Sequence, residues 1–280
     1  MTLNELYQKG CSLLKEKHIE DAEFDARCLI EHTLNITPTE YFMRRGEAVD
    51  ITTENRYYDY LQRRINGEPL QYIIGKWEFM GNEFYVGDGV LIPRPETEIL
   101  VEKAVDYLKH KKNPVVFDIC SGTGCIAISI AKFFPDAKVY AVEKYAKAYS
   151  YLLQNIGLNA VGNVKAVNGD LFDKDLLKGI SPDVILSNPP YIRTDDIEKL
   201  DITVRNEPHT ALDGGNDGYV FYRFLSDYWF SERLEQDSVM ILECSEDQGD
   251  AIASMLSTNS KKVKVIEDFN KLQRIVIAEK

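Results

Sequence analysis

The most specific chemistry in this chain sits in four consecutive residues, Asn188-Pro189-Pro190-Tyr191. A residue ahead of proline is driven into extended geometry, and each proline removes a backbone donor. The product is a stiff loop rich in acceptors: the Asn188 side-chain oxygen and the Pro189 carbonyl, flanked by Pro190 and the flat face of Tyr191. Two acceptors can take both N–H bonds of a planar –NH2 group and hold its out-of-plane face toward an electrophilic methyl. Positioning of that kind lowers a barrier by about 7–11 kcal/mol at best. An amide nitrogen is a poor nucleophile because its lone pair is delocalised. Acceptors that favour a pyramidal, positively charging nitrogen therefore stabilise the transition state more than the ground state. The four residues contain no general base, so the proton is expected to leave after methyl transfer, to water. For the tetrapeptide alone, a rigid Pro-Pro turn with a capping Asn and a core Tyr is the plainer alternative.

Context weighs against that alternative. The tetrapeptide follows Asp183-Val184-Ile185-Leu186-Ser187, a buried-strand pattern, and ligands of open α/β sheets bind at the carboxyl ends of strands. Upstream, Val115-Val116-Phe117-Asp118-Ile119 runs into Cys120-Ser121-Gly122-Thr123-Gly124 and then into a helical pattern over residues 125–134. Glycines at such a place let the backbone turn sharply and approach a ligand at a helix N-terminus. Glu143 closes the next strand, where a carboxylate can accept hydrogen bonds from both ribose hydroxyls of a nucleoside. A tight turn followed by a solvated charge is the bland reading. A dinucleotide site is the sharper rival, since the loop reads G-T-G-C-I-A with Ala127 in the third glycine's place. The loop does not decide the cofactor; the residues after the fourth strand do.

The elements that must position these loops follow from periodicity. Residues 1–66 read as a small helical bundle. Thr2-Leu3-Asn4-Glu5 is a capping box; Ala22, Ala26, Leu29, Ile30 and Thr33 form one helical stripe; Tyr57, Tyr58, Leu61 and Ile65 form another that stops at Asn66-Gly67. Trp77, Phe79, Phe84 and Val86 alternate around Met80-Gly81-Asn82, which predicts a β-hairpin linking the bundle to the rest. A helix starts at Pro95 with Glu96 and Glu98 favourable to its dipole. Strands are predicted over 115–119, 138–142, 164–167, 183–187, 239–243, 263–266 and 274–278, mostly separated by helical patterns. A mostly parallel, doubly wound α/β sheet is the expected architecture, with the last two strands pairing antiparallel at the sheet end.

Bulk properties narrow the partners. The net charge of −12, from 33 basic and 45 acidic residues, repels phosphate backbones and suits a basic protein partner. The five cysteines, Cys11, Cys28, Cys120, Cys125 and Cys244, fit neither a zinc site nor a disulfide framework, and no metal site is expected. No signal peptide and no apolar run long enough to span a bilayer is evident, so the expected location is the cytoplasm, away from membranes.

Over nearly its whole length the chain resembles the peptide chain release factor N5-glutamine methyltransferases (the HemK/PrmC family). The resemblance is carried by Gly67-Glu68-Pro69-Leu70-Gln71-Tyr72-Ile73-Ile74-Gly75, Leu91-Ile92-Pro93-Arg94-Pro95-Glu96-Thr97-Glu98, Asp118 to Gly124, Gly169-Asp170-Leu171-Phe172, Asn188 to Tyr191, and Glu207-Pro208 with Ala211 to Gly218. It implies a seven-stranded, Rossmann-like S-adenosylmethionine-dependent methyltransferase domain (93–280), preceded by an all-α substrate-docking domain (1–75) and the hairpin linker (76–92). By the same resemblance Asp118, Cys120, Ser121, Gly122, Thr123 and Gly124 belong to the cofactor site, where the loop wraps the methionine part of S-adenosylmethionine. Glu143 would hold the ribose, and Asp170 and Leu171 would meet the adenine. Asn188, Pro189, Pro190 and Tyr191 would bind the substrate glutamine, with Asn188, Pro189 and Tyr191 catalytic and Asn188 also at the cofactor. The Ile92-to-Glu98 segment, with Arg94, Pro95 and Glu96, would shape the substrate pocket, while Glu98 reads equally as a structural helix start. The stretch 193–218 would be a recognition segment near the pocket. The implied partner is a class 1 release factor, bound by a monomer without direct nucleic-acid contact.

The chain departs from the family pattern at several points. Glu143 stands where Asp is more usual, and Lys144 where an apolar residue often meets adenine. Glu243-Cys244-Ser245 replaces a common Glu-Ile-Gly, and Lys271 takes a glycine's place between Asp268 and Arg274. Three other functions share parts of this reading. Methylation of a ribosomal-protein glutamine would use the same core. Adenine-N6 methylation of nucleic acid uses the same tetrapeptide but needs basic side chains to grip phosphates, which the charge disfavours. A nucleoside-sensing module would bind cofactor without methyl transfer.

Overall fold

The computed structural model describes residues 1–280. They divide into two compact units, Met1–Gly75 with Asp201–Asn206, and Lys76–Leu200 with Glu207–Lys280.

The first unit is helical: α1 (Leu3–Glu16), α2 (Ala22–Leu34), α3 (Pro38–Arg44), α4 (Ile51–Ile65) and α5 (Leu70–Ile74). Its first capping box closes as the sequence predicts. Thr2 Oγ1 accepts the Glu5 amide at 3.2 Å, and Glu5 Oε2 accepts the Thr2 amide at 2.7 Å. Thr37 and Glu40 repeat the device at the start of α3. Leu6, Leu14, Leu29, Ile30, Tyr57 and Leu61 fill the bundle centre. Helix α4 stops at Asn66, and Gly67 follows in the left-handed region with φ 91°. The distant segment Asp201–Asn206 joins this unit, where Asn206 Nδ2 donates to the Gly67 carbonyl at 2.7 Å. Periodicity gave no sign of that tie.

The second unit begins with the hairpin β1 (Lys76–Phe79) and β2 (Asn82–Tyr85), followed by α6 (Pro95–Leu108). Next come β3 (Val115–Ile119), α7 (Cys125–Phe133), β4 (Lys138–Glu143), α8 (Ala146–Leu158), β5 (Val164–Asn168), β6 (Val184–Ser187), β7 (Val239–Glu243), β8 (Lys262–Glu267) and β9 (Gln273–Glu279). The seven-stranded sheet runs β5-β4-β3-β6-β7-β9-β8. Strands β3 to β7 pair in parallel, and β9 is antiparallel to both β7 and β8. The expected antiparallel pair thus closes one edge.

Both faces of this sheet are covered, which is why its central strands read as unbroken apolar runs rather than alternating ones. Val116, Val184, Leu186 and Ile241 pack on the side of α6 and α7, while their strand neighbours Phe117, Ile185, Met240 and Leu242 pack on the side of Tyr222 and Trp229. Trp229 lies in a π-helical run, Leu225–Arg233.

The hairpin, expected as a linker, is part of this unit. Phe79 and Phe84 enter the core beside α6 and α7, and Asn155 in α8 brackets Tyr85 with bonds of 2.6 and 3.1 Å. Buried aromatic faces on two strands that cannot stand alone require such a neighbour. Glu98 resolves to a structural role, accepting the Met80 amide at 2.7 Å. Lys271 does adopt the glycine-like conformation, φ 62°. The turn survives because Asp268 accepts the amides of Asn270 and Leu272 and the Arg274 guanidinium.

Candidate active site

Strands β3 and β6 lie side by side, with Ile119 opposite Ser187. From β3 the chain winds outward through β4 and β5, then returns to place β6 on the other side. The loops leaving β3 and β6 therefore diverge, and a crevice opens at their carboxyl ends. Ser187 Oγ donates to the Ile119 carbonyl at 2.5 Å and fastens the two strand ends together. A cavity occupies the crevice, its empty space about 980 Å³ with the open solvent at its mouth included.

The loop after β3 is shaped by two carboxylates. Gly122 and Gly124 have φ of 55° and 82°, and Cys120 shares the left-handed region at 64°. At Gly124 a Cβ would stand 2.4 Å from Leu152 Cδ1, so this position is glycine for space as well as for φ. Asp118 Oδ2 accepts Ser121 Oγ at 2.5 Å and the Ala127 amide at 3.1 Å. Asp118 is fully buried, and burial pushes its carboxyl up to about 7. Glu143 Oε2 accepts the Gly122 amide at 2.9 Å, and its Oε1 accepts the Tyr145 amide at 2.8 Å. Burial also raises the Glu143 carboxyl, against those backbone bonds.

The loop after β6 is held differently. Asn188 Nδ2 donates to Thr97 Oγ1 of α6 at 3.3 Å. Gln248 Nε2 donates to the Tyr191 carbonyl at 3.1 Å, and Ile192 exchanges bonds with Leu212 and Gly214 at 2.9 and 2.7 Å. Gly214 passes so close that a Cβ there would lie 2.7 Å from Tyr191 Cα. The Arg94 guanidinium pairs with the buried Glu207 carboxylate, whose second oxygen accepts the Ile92 amide at 2.9 Å. That carboxylate secures the segment from Ile92 to Arg94 on the cavity wall.

Ten of the expected site residues meet at the cavity. Cys120, Ser121, Gly122, Thr123 and Glu143 line one side; Asp170, Leu171, Asn188, Pro190 and Arg94 line others. Six expected residues do not border it. Asp118 sits behind the loop and acts through Ser121 and Ala127, and Gly124 turns its back to Leu152. The Pro189 ring and the Tyr191 side chain pack inward, Tyr191 against the cluster of Tyr222 and Trp229. Pro95 and Glu96 are exposed on the first turn of α6. Thr97 and Phe172, which sequence reading carried only inside longer motifs, border the cavity, and so does Phe221, which it missed. The stretch 193–218 contributes Thr210 and Ala211.

These residues fit a nucleoside-type ligand. Each Glu143 oxygen accepts one backbone amide and keeps a further lone pair for ribose hydroxyls. Gly122 leaves an open approach, since the nearest atom to a Cβ built there is Val90 Cγ2 at 3.8 Å. Leu171, Phe172 and Phe221 supply apolar walls for a base, with Leu171 pinned by the Trp229 indole, which donates to its carbonyl at 2.9 Å. Lys144 also borders the cavity, its Nζ 2.8 Å from Asp170 Oδ2.

Comparison with known proteins agrees with this geometry. The PrmC N-terminal domain family matches residues 5–75, and the TRM5/TYW2 methyltransferase domain family matches residues 98–207. The catalytic domain of hMettl16, solved with the MAT2A 3'UTR hairpin 1, superposes with a TM-score of 0.57 at 14% identity, covering 84% of this chain and 83% of that one. That likeness is one of fold. A release factor glutamine methyltransferase of Clostridium acetobutylicum is 34% identical over 99% of this chain and 98% of its own length. Another, from Thermodesulfovibrio yellowstonii, is 36% identical over 91% of this chain and 92% of its own. At such identity over nearly the full length, the chain belongs to the release factor glutamine methyltransferase family.

Proposed function

We propose that this protein transfers a methyl group from S-adenosylmethionine to the side-chain amide nitrogen (N5) of the glutamine in the Gly-Gly-Gln loop of a class 1 peptide chain release factor, releasing S-adenosylhomocysteine. The observation that carries this reading is the single cavity joining Asn188 and Pro190 to the glycine loop and Glu143. The cofactor, when bound, supplies an electrophilic methyl on a sulfonium. Glu143 holds the ribose hydroxyls, Asp170 and Leu171 stand at the adenine, and the Cys120-to-Gly124 loop wraps the methionine part, shaped from behind by Asp118. The Asn188 side-chain oxygen and the Pro189 carbonyl accept the two substrate N–H bonds, with Pro190 and Tyr191 as the stiff frame. These acceptors strengthen as the nitrogen gains positive charge, so they favour the transition state. Arg94, fixed by Glu207, borders the substrate end. The proton leaves to water after transfer.

The helical unit serves as the docking surface for the release factor. A net charge of −12 suits a basic protein and disfavours nucleic acid or an anionic membrane, and no helix is long and apolar enough to cross a membrane. We place the protein in the cytoplasm as a monomer. The test is incubation with methyl-labelled S-adenosylmethionine and, separately, release factor, its Gln-to-Glu loop variant, ribosomal protein and DNA. Label on the wild-type release factor alone is expected. Label on DNA, or equal label on the Gln-to-Glu variant, would sink the reading.

A further inference from the structure

The tetrapeptide is held at both ends, and the two ends are unequal. At its start Asn188 Nδ2 donates to Thr97 Oγ1 at 3.3 Å, which is long for such a bond. At its end the Tyr191 backbone lies in a socket made of two segments that bind neither cofactor nor substrate in the reading above. One is the glycine-rich stretch 213–218; the other is Gln248, which follows β7 and precedes a helix over Gly249–Ser257. Gln248 is 5% exposed. Its Nε2 donates to the Tyr191 carbonyl at 3.1 Å and to the Gly218 carbonyl at 3.3 Å. Its Oε1 accepts the Ser245 amide at 3.2 Å, and its own backbone amide donates to the Ser245 carbonyl at 3.1 Å. A side-chain amide donates only from nitrogen and accepts only on oxygen, so these partners admit a single orientation.

The glycines complete the socket by what they lack. A Cβ at Gly214 would stand 2.7 Å from Tyr191 Cα. One at Gly218 would stand 2.6 Å from the Tyr191 carbonyl oxygen and 2.7 Å from Gln248 Nε2, wedged against both partners of one bond. The stretch is itself held in place: Asp213 Oδ1 accepts the Gly215 amide at 2.9 Å and the Thr194 hydroxyl at 2.7 Å.

We propose that Gln248 is a positioning residue which, with Gly214 and Gly218, fixes the Tyr191 carbonyl and thereby sets where the Asn188 and Pro189 acceptors stand. Covalent structure transmits the effect. Pro189 and Pro190 each lock one backbone dihedral, so a displacement at Tyr191 is carried back toward the clamp instead of being absorbed. The long bond at Asn188 does not resist it alone. A misplacement of about 1 Å costs on the order of 100-fold in rate. Gly214, Gly218 and Gln248 do not border the cavity, so they act through the loop and not on the substrate. The assignment rests on the reading of Asn188 and Pro189 as the amide clamp and supplies what aims it.

The test uses the full-length protein with S-adenosylmethionine and release factor. Gln248→Met keeps the side-chain length and removes both donors; kcat is expected to fall on the order of 10- to 100-fold. The dissociation constant for S-adenosylmethionine should stay within a few-fold of wild type, because Gln248 bonds neither the Cys120-to-Gly124 loop nor Glu143. Gly218→Ala drives a wedge into the same contact and should lower kcat to a similar degree. Its φ of 80° strains any side chain, so Gly179→Ala is the control: Gly179 shares that φ with nothing within 4 Å of a Cβ, and its kcat should stay within a few-fold of wild type. In the double variant of Gln248 and Gly218 the second change should cost little more, since both break one contact. A kcat for Gln248→Met within a few-fold of wild type, cofactor affinity falling in step with kcat, or losses that multiply in the double variant would each overturn the assignment. If Gln248→Met does not fold, equal kcat for Gly218→Ala and Gly179→Ala overturns it. Absence of turnover in the wild type would instead refute the proposed function, so the two failures are distinct.

Discussion

The loops leaving β3 and β6 end neighbouring strands and border the same cavity, yet they are built in opposite ways. The Cys120-to-Gly124 loop is flexible in composition and is held from outside, by Asp118 gripping Ser121 and Ala127 and by Glu143 gripping Gly122. The Asn188-to-Tyr191 loop is stiff by covalent structure and needs few bonds, chiefly those of Asn188 to Thr97 and of Gln248 to the Tyr191 carbonyl. The first loop uses its backbone donors to become a shape; the second has few donors and keeps its acceptors for a ligand. A cofactor recognised by fit is served by the former, and a nucleophile that must be clamped and then released is served by the latter.

Substitutions can separate these two designs. The largest effect is expected for Asn188→Ala, which removes one acceptor of the clamp: kcat should fall on the order of 100- to 1000-fold, while calorimetric affinity for S-adenosylmethionine stays within a few-fold. Turnover within a few-fold of wild type would mean that the amide is not held there. Glu143→Ala attacks the other loop. It loses two charge-assisted bonds to backbone amides, each worth about 1.5–3 kcal/mol in principle, and the ribose acceptor with them. S-adenosylmethionine affinity should drop on the order of 100-fold, with kcat at saturating cofactor much less affected. An unchanged affinity would remove the distinction between the loops.

A smaller effect concerns pH. The Asp118 carboxyl sits at about 7 in the folded protein against an ordinary value of 3.8. Between those values the native state holds a proton that the unfolded chain has released, so this group contributes stability at low pH that is lost as pH rises through about 7. An asparagine side chain in its place could still accept both bonds through one oxygen but would not titrate. Urea unfolding of Asp118→Asn at several pH values between 4 and 8 should therefore show a flatter stability profile than wild type; an identical slope would deny the shift. The smallest effect is expected for Lys144→Ala. Its ion pair with Asp170 is about half exposed on the lysine side, and exposed pairs contribute about 0–1 kcal/mol. Cofactor affinity should change less than about five-fold, and a larger loss would show that Lys144 packs on the bound base.

Much of the second unit was legible before any coordinates. All seven strands of the sheet fall within a residue or two of the predicted spans, because the central strands are buried apolar runs and the edge strands β5 and β8 alternate between turn signals. The helical starts at Leu3 and Pro95 were legible for a similar reason, since capping residues and proline act on their immediate neighbours. Some elements escaped: α3 and α5 have too few residues to display a period, and the π-helical run at Leu225 departs from the 3.6-residue period. The packing of the hairpin against α6, α7 and α8 was not legible, because two amphipathic strands reveal that they need a partner but not which one.

The sequence by itself determined the strand and helix pattern, the two motif loops and the chemistry their residue types allow, since all of these depend on residues close together in the chain. Tertiary structure decided which of those residues reach the cavity. Asp118 and Glu143 have the same carboxylate, but only Glu143 borders the cavity, because the carboxylate of Asp118 is turned to the back of the loop. Thr97 meets Asn188 from 91 positions away. A contact of that kind costs loop-closure entropy and is stable only once the sheet and α6 have packed. Asn188 was therefore readable from the chain, and its orientation was not.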